Sequence, residues 1–356
     1  MVCKGHSARA DGWDNGLTNH VVFDARGAQR LYILQIYDIE LGGVVAEYRL
    51  DATDETTVVG VFDQARPPVM NIESGDTVDI ETNTHWGNVI FPETTLEDIM
   101  RLRTEVYPDV GPHTLTGPVE VTGAKVGQIL KVEILELVPR THGFNLFYPG
   151  AFGTGLLPED FDEGEIRHFE HDLDAMTTPF SPNISIPLKP FLGIMGVAPP
   201  DPGPHSTVPP GPYGGNMDLA DLTDGTTAYF PIWNDGAQFS IGDAHSKQGN
   251  GEVCLTAIET AFRHSRLRLS VVDEREIARP FAETPDAWIT MGFDEDLLVA
   301  AKIALRDMIA LLQSQYGLTA GEAYSLCSIT SDLSVTQVVN RTRGVHVSIP
   351  KTLFTS

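Results

Sequence analysis

Cysteine is scarce. The 356-residue chain carries three, Cys3, Cys254 and Cys327, too far apart to form a C-x-x-C pair. That excludes a disulfide framework and a zinc ribbon and indicates reduced thiols. Long apolar runs are also missing: no stretch approaches the ~20 residues that a bilayer span requires. Met1 to His20 is polar and Gly-rich, without the apolar segment of a signal peptide. A soluble, cytoplasmic protein with no membrane partner is expected. Basic residues are few, 24 Lys and Arg against 49 Asp and Glu, for a formal charge of −25. Such a surface repels nucleic-acid phosphate and anionic lipid and suits a neutral or cationic small substrate, although much of the charge serves solubility.

What is abundant is punctuation. With 33 glycines and 24 prolines among short Val/Ile/Leu runs, the chain reads as strand-rich rather than as a helical bundle or a regular βαβ repeat. Residues 70 to 82 read as a strand, a turn at Ser74-Gly75-Asp76, and a second strand; residues 118 to 139 repeat that logic. A β-sandwich is the economical architecture. Pro139 to Asp174 and the seven-proline segment Ala198 to Gly215 read as irregular covering segments. Such long loops are where sites tend to lie, and Phe144 to Phe161 and Pro199 to Tyr213 are expected to shape the pocket. A helix is predicted over Asp294 to Tyr316, where Leu297, Leu298, Ala301, Leu305, Met308, Ile309 and Leu312 recur at helical spacing before Gly317. A short helix from Thr319 and two closing strands around an Asn340 to Gly344 turn follow. The fold class is therefore α+β, mainly β: a sandwich-like domain over 1–260 carrying the site, and a smaller α+β unit over 261–356 whose last strands can pack back on the first.

Chemistry concentrates in Gly236 to Thr260. Phe239, Ile241, Asp243 and His245 share one strand face, because side chains alternate with period two. A carboxylate and an imidazole two residues apart can meet one ion. Gly242, Gly249 and Gly251 permit sharp turns, and Glu252 opens the expected returning strand near the same end. Asp, His and Glu offer the O and N ligands that a divalent ion such as zinc accepts. The competing reading is that Gly242-Asp243 and Asn250-Gly251 are hairpin punctuation. His85 ends a polar face, Asp79-Glu81-Asn83-His85, before Trp86-Gly87, and is a candidate ligand or substrate contact. His113 and His205 are weaker candidates, His168 and His171 read as a solvated face, and Cys254 reads as packed into the core of its strand.

GDAHSKQGNGEV at Gly242 to Val253, followed by AIE at Ala257 to Glu259, resembles the characteristic segment of the acetamidase/formamidase family. FLGIMGVAPPDPG and HSTVPPGPYGGNMD, within Phe191 to Asp218, resemble a second block of that family. Gly117 to Leu137 and Val335 to Lys351 add stretches of architectural character, so the resemblance spans roughly residues 70 to 351. It implies hydrolysis of a small non-peptide amide by a homo-oligomer. In the second block Gly214 and Gly215 allow close backbone approach, and Asn216 and Asp218, two apart, would point to one side. Asp218, Asp243 and His245 are then expected to hold the metal, with His85 as a further ligand. His245 and Glu252 would carry the catalysis, Glu252 moving the proton from water to the leaving nitrogen, and Asn216, Gly215 and His113 would contact substrate. Glu252 is preferred to Glu259 because a regular strand would send the two to opposite faces.

Other amide-cleaving solutions leave no trace: G-x-S-x-G, H-E-x-x-H and a Gly-Gly-Ser-Ser segment are all missing. Two alternatives stay open, a hydrolase of cyclic amides and a non-catalytic small-ligand-binding sandwich.

Overall fold

The structure is a computed structural model, and it describes residues 46–108, 110–148, 154–273 and 277–354. The polar segment Met1 to His20, and Cys3 with it, lies outside the described residues. Among the described residues no helix is long and apolar enough to cross a membrane.

Strands dominate, as expected, and form two large curled sheets. One runs, in hydrogen-bonded order, through Thr77–Ile80, Phe262–Val272, Ile129–Pro139, Thr227–Pro231, Phe281–Glu283, Ala287–Asp294, Arg343–Pro350 and Asp332–Gln337. The other carries the strands that build the site: β1 (Thr114–Val121), β2 (His142–Phe147), β3 (Phe191–Gly196), β4 (Gly214–Asn216), β5 (Phe239–Lys247) and β6 (Ile258–Thr260). Its backbone order is β4-β3-β5-β6-β2, continuing to Glu165–Glu170, with β1 also pairing β5. Leu130, Val132, Ile134, Leu267 and Phe230 from the first sheet share one apolar core with Leu115, Val119, Leu192, Ile194, Phe239 and Ile241 from the second. Alternation produces this. In Ile129–Pro139 the residues Leu130, Val132 and Ile134 are buried while Lys131 and Glu133 are half-buried.

The two strand–turn–strand units differ from the expected hairpins in one respect. Met70–Ile72 pairs with β1 in the second sheet while Thr77–Ile80 joins the first. Likewise β1 and Ile129–Pro139 lie in different sheets. Each unit is a corner that links the two layers. Pro139 to Asp174 is also more regular than its composition suggests, since β2 pairs antiparallel with Glu165–Glu170. Phe144 and Leu146 are buried there and alternate with half-buried Asn145 and Phe147, a pattern that polar neighbours obscure in the sequence.

Residues 48–356 cluster as one compact unit. Phe262–Val272, just beyond the expected boundary at residue 260, is hydrogen-bonded between Thr77–Ile80 and Ile129–Pro139. Helices α1 (Leu297–Tyr316) and α2 (Ala320–Thr330) cover the far end of the first sheet. Asp296 caps α1 by accepting from the Leu298 and Val299 amides, and Gly317 ends it at φ 68°. Ala300, Ala304, Met308 and Leu312 pack on Val345, Val347 and Ile349. The closing strands flank the Asn340 to Gly344 turn as expected.

Candidate active site

β5 is the axis of the site. On one edge it pairs with β3 along most of its length, from Phe191 opposite His245 to Gly196 opposite Ser240. On the other edge it changes partner: β1 accompanies it as far as Gly242, opposite Leu115, and β6 takes over at Ala244, opposite Thr260. Asp243 sits at this fork with φ 52°. Asp tolerates the left-handed region better than most residues, because its short polar side chain can bond locally. The fork leaves space between β1 and β6 into which side chains from several loops converge.

His85 arrives from a tight turn in which Trp86 (φ 51°) and Gly87 (φ 78°) are left-handed. Thr114 holds this turn. Its hydroxyl donates to the Thr84 carbonyl at 2.7 Å and accepts from the Gly87 amide at 2.8 Å. The His85 Nε2 lies 3.1 Å from Asp243 Oδ1 and 3.3 Å from Glu259 Oε2. His245 Nε2 lies 3.1 Å from the same Glu259 oxygen and 3.3 Å from Asp243 Oδ2. His113 Nε2 is 3.8 Å from Asp243 Oδ2, and its Nδ1 bonds the Thr207 hydroxyl at 2.9 Å. Asp218 Oδ1 stands 3.9 Å from His245 Nδ1. Its other oxygen accepts a short bond from the Asn340 side-chain amide. All of these acids and imidazoles are buried, as is Glu252.

Electrostatics follows from that burial. Desolvation opposes protonation of His85, yet its bonds to Asp243 and Glu259 outweigh it and lift the imidazole to about 9. Desolvation opposes protonation of His245 too, but the charges of Glu259 and Asp243 outweigh it and take the imidazole well above its ordinary value. His113 has no aligned acid, so burial, helped by the charge of His85, pushes it down to about 4. Burial raises Asp218 to about 7, and burial with the Asp218 charge raises Glu252 well above the usual carboxylate range. For Asp243 and Glu259 burial acts upward, but the neighbouring imidazoles win and both are lowered.

A buried cluster holding Asp218, Asp243, Glu252 and Glu259 requires positive charge. Protonated His85 and His245 could supply it; so could a divalent ion. Both nitrogens of His245, together with Asp218 Oδ1 and Glu252 Oε2, are buried and make no aligned hydrogen bond. Such nitrogens and oxygens are donors that a cation could take up. Three groups, His85/His113/Asp243, Asp218/Asp243/His245 and His245/Glu252/Glu259, each present atoms within 4.8 Å of one another.

A cavity of about 890 Å³ opens over this cluster. His85, His113, Asp243, Glu252 and Glu259 face it, and Asn216, Tyr148, Ser206 and Val208 help line its walls. His245 and Asp218 stand behind that floor. The expected metal set Asp218, Asp243, His245 and His85 is thus brought together, with Glu252 and His113 beside it. Asn216 reaches the cavity, its amide donating to the Val208 carbonyl at 3.1 Å. Gly215 does not line the cavity; at φ 81° it turns the chain between Gly214 and Asn216. His205 is partly exposed and bonds the Asp201 carbonyl at 2.8 Å, outside the cluster.

Three residues were placed second or missed in the sequence. Glu259 lies directly across from His245. The expected strand from Glu252 does not exist: β6 begins only at Ile258, and the intervening turn, with Glu252 at φ 46° and Leu255 at φ 144°, cancels the parity argument that favoured Glu252 over Glu259. Both acids reach the site. Cys254 falls in the same turn, half-buried, where the Asn145 amide meets its sulfur at 3.4 Å, rather than in a strand core. Gly193 is the second, and its flanking residues Leu192 and Ile194 pair with Ala244 and Gly242, which places it beside Asp243. The third, Asn340, had no local signal.

The expected solvated face at His168 and His171 is not one. His168 donates to the Thr94 carbonyl at 2.8 Å and meets His142 at 3.0 Å, and His171 is buried against the Ser246 hydroxyl at 2.8 Å. Burial, then the neighbouring His142, lowers His171 to about 4. An unfolded histidine takes its proton near 6.5. Because the folded value is depressed, the stability this group contributes is intact above about 6.5 and is lost as pH falls towards 4, by up to about 3 kcal/mol. His171→Asn is expected to flatten the melting temperature against pH across that window; an unchanged acid-side slope would exclude this source.

The fold and the cluster define a mainly β protein with a buried acid–imidazole centre below a cavity. The model of the "Acetamidase/Formamidase family" matches residues 51–204 and 201–356, and the chain belongs to that family. Among solved structures it is similar to an acetamidase from Bacillus halodurans, at 32% identity and TM-score 0.76, covering 86% of this chain and 98% of that one. It is also similar to an acetamidase from Yersinia enterocolitica, at 25% identity and TM-score 0.78, covering 88% and 94%. A formamidase of Methylophilus methylotrophus is 26% identical over 247 residues, which are 55% of this chain and 59% of that protein. The chain thus spans less than two thirds of the length of that curated relative.

Proposed function

We propose that this protein hydrolyses a small linear amide to its carboxylate and ammonia with the aid of a divalent metal ion, zinc suiting the donor set. The observation that carries the reading is the convergence of buried, hydrogen-bond-deficient imidazole and carboxylate atoms at the floor of a cavity. Family membership and the acetamidases and formamidase it resembles agree with it. His245, Asp243, Asp218 and His85 would hold the ion, with Glu259 and His113 at hand. When bound, the ion acidifies water and polarises an amide carbonyl.

The remaining work falls to side chains. Water adds its oxygen to the carbonyl carbon, the C–N bond breaks, and the leaving nitrogen must gain a proton. Glu252 faces the cavity with Oε2 unpartnered, and its raised affinity for protons suits it to take one from water and return it to nitrogen. Asn216 Oδ1, buried and unpartnered, can accept from the amide N–H. Asn340 and the Gly193 carbonyl, which accepts from the Asp218 amide at 3.1 Å, fix Asp218. The scarce cysteine fits a cytoplasmic protein and the family resemblance a homo-oligomer, to be checked by fractionation and light scattering.

The decisive test is metal content by mass spectrometry together with ammonia release from short amides and lactams, for wild type and His245→Ala. Near-stoichiometric metal, lost with activity in the variant, is expected. Full activity in metal-free protein would overturn the metal-dependent reading. A preference for lactams would redirect it to cyclic amides.

A further inference from the structure

We infer that the substrate carries a second, anionic group, a carboxylate, seated against Arg341 and Arg343 while its amide lies at the acid–imidazole floor. This rests on the amide-hydrolase reading above.

Size comes first. A cavity of about 890 Å³ falls in the range of roughly 300–1,000 Å³ that encloses ligands far larger than formamide or acetamide. Charge distribution comes second, because the cavity is polarised. Its floor presents Asp243, Glu252 and Glu259, whereas the wall formed by residues 338–343 presents Arg341 and Arg343. The chain has twice as many acids as bases, 49 against 24. Even so, among the described residues neither Arg341 nor Arg343 makes an ion pair with a carboxylate; Arg343, opposite Asp294 in the sheet, donates to the Glu295 backbone carbonyl. Both arginines are exposed where they border the cavity, and a guanidinium there that has no acid partner can take up an anion. An anion entering this cavity would be drawn to the arginine wall, which leaves the uncharged amide to face the floor.

The wall is also held in place. Gln337, fully buried, accepts from the Val339 and Asn340 amides at 3.0 and 3.1 Å and donates to the Thr342 carbonyl at 2.8 Å. That staple keeps Arg341 at φ 63°, a conformation that a side-chain-bearing residue adopts only when its surroundings impose it. The same turn aims Asn340 at Asp218. One element therefore joins the restraint on the metal-ligand candidate Asp218 to the cationic wall. Guanidinium suits a carboxylate because its planar donors bind both oxygens.

The test compares succinamate with butanamide, which has the same chain length and no carboxylate, using the whole protein and its Arg341→Gln, Arg343→Gln and Arg341→Lys forms. Wild type is expected to favour succinamate in kcat/KM. The preference should fall about tenfold to a hundredfold in R341Q, with a smaller fall in R343Q and part of the loss recovered in R341K. Equal use of the two amides by wild type, or a preference that neither glutamine variant moves, overturns the inference and leaves amide hydrolysis standing. If no amide is cleaved, the hydrolase reading fails, and calorimetry with succinate decides the anion site by itself. Binding lost in R341Q sustains it; no binding to wild type removes it.

Discussion

Gly193→Ala is expected to cost at least about a hundredfold in amide turnover and most of the bound metal, while the protein still folds. A Cβ at this position would lie 2.7 Å from Asp218 Oδ1, 2.7 Å from His245 Cε1 and 2.8 Å from Asp243 Oδ2. Real Cβ atoms do not approach so closely, so a single methyl group must displace three ligand candidates together. Those side chains cannot yield easily. Asp218 is tied to Asn340, Asp243 is fixed by the backbone of the fork, and the ring of His245 packs edge-on against Phe191 at 4.9 Å. Changes that merely disturb the support of metal ligands cost about 10–100-fold, and moving the ligands themselves should cost more. Gly193 lies in a strand and is not among the residues with left-handed φ, so alanine imposes no backbone penalty of its own. Circular dichroism unchanged with metal and activity lost is the expected result. Activity within a few-fold of wild type would mean that the cluster is not the reacting centre.

The second large effect is expected from Glu252→Gln: kcat lower by about 10²–10⁴-fold, with metal content retained. Glutamine keeps the shape of glutamate and its hydrogen-bonding oxygen, and meets the φ of 46° no worse. What it lacks is a carboxyl group that can take up a proton and give it back. A proton carrier should therefore show its loss in kcat rather than in KM, and the pH profile should lose the limb that this carboxyl sets. If metal disappears along with activity, Glu252 is a ligand and Glu259 becomes the better candidate for the proton.

Much of this site was legible in advance, for a simple reason. Period-two alternation along Phe239 to His245 puts Asp243 and His245 together without knowledge of any partner strand, whereas Asn216 and Asp218 do not follow it, because β4 ends at Asn216 and Asp218 has φ 51°. Where local regularity breaks, the reading breaks with it. Glu259 was assigned away from the site by an alternation that five turn residues interrupt, 253–257, whose backbone angles nothing in their identities announces. Gly193, inside FLGIMG, looks like a small residue in an apolar strand; its purpose appears only when β3 is aligned on β5. The corners at residues 70–82 and 118–139 illustrate the same limit, since a strand–turn–strand pattern does not say whether its arms join one sheet or two. The half-burial of His168 and the burial of His171 depend on β2, the loop at Thr94 and Ser246, which pack against them from elsewhere in the chain.

The bond between Asn340 and Asp218 closes a loop of 122 residues. A ribosome making this chain will have released the strands around β5 long before Asn340 emerges, so the sandwich can begin to form while one of its ligand candidates still lacks its restraint. The centre therefore reaches the geometry described here only in a chain that already carries the turn at Asn340, well after its other ligand candidates have been made.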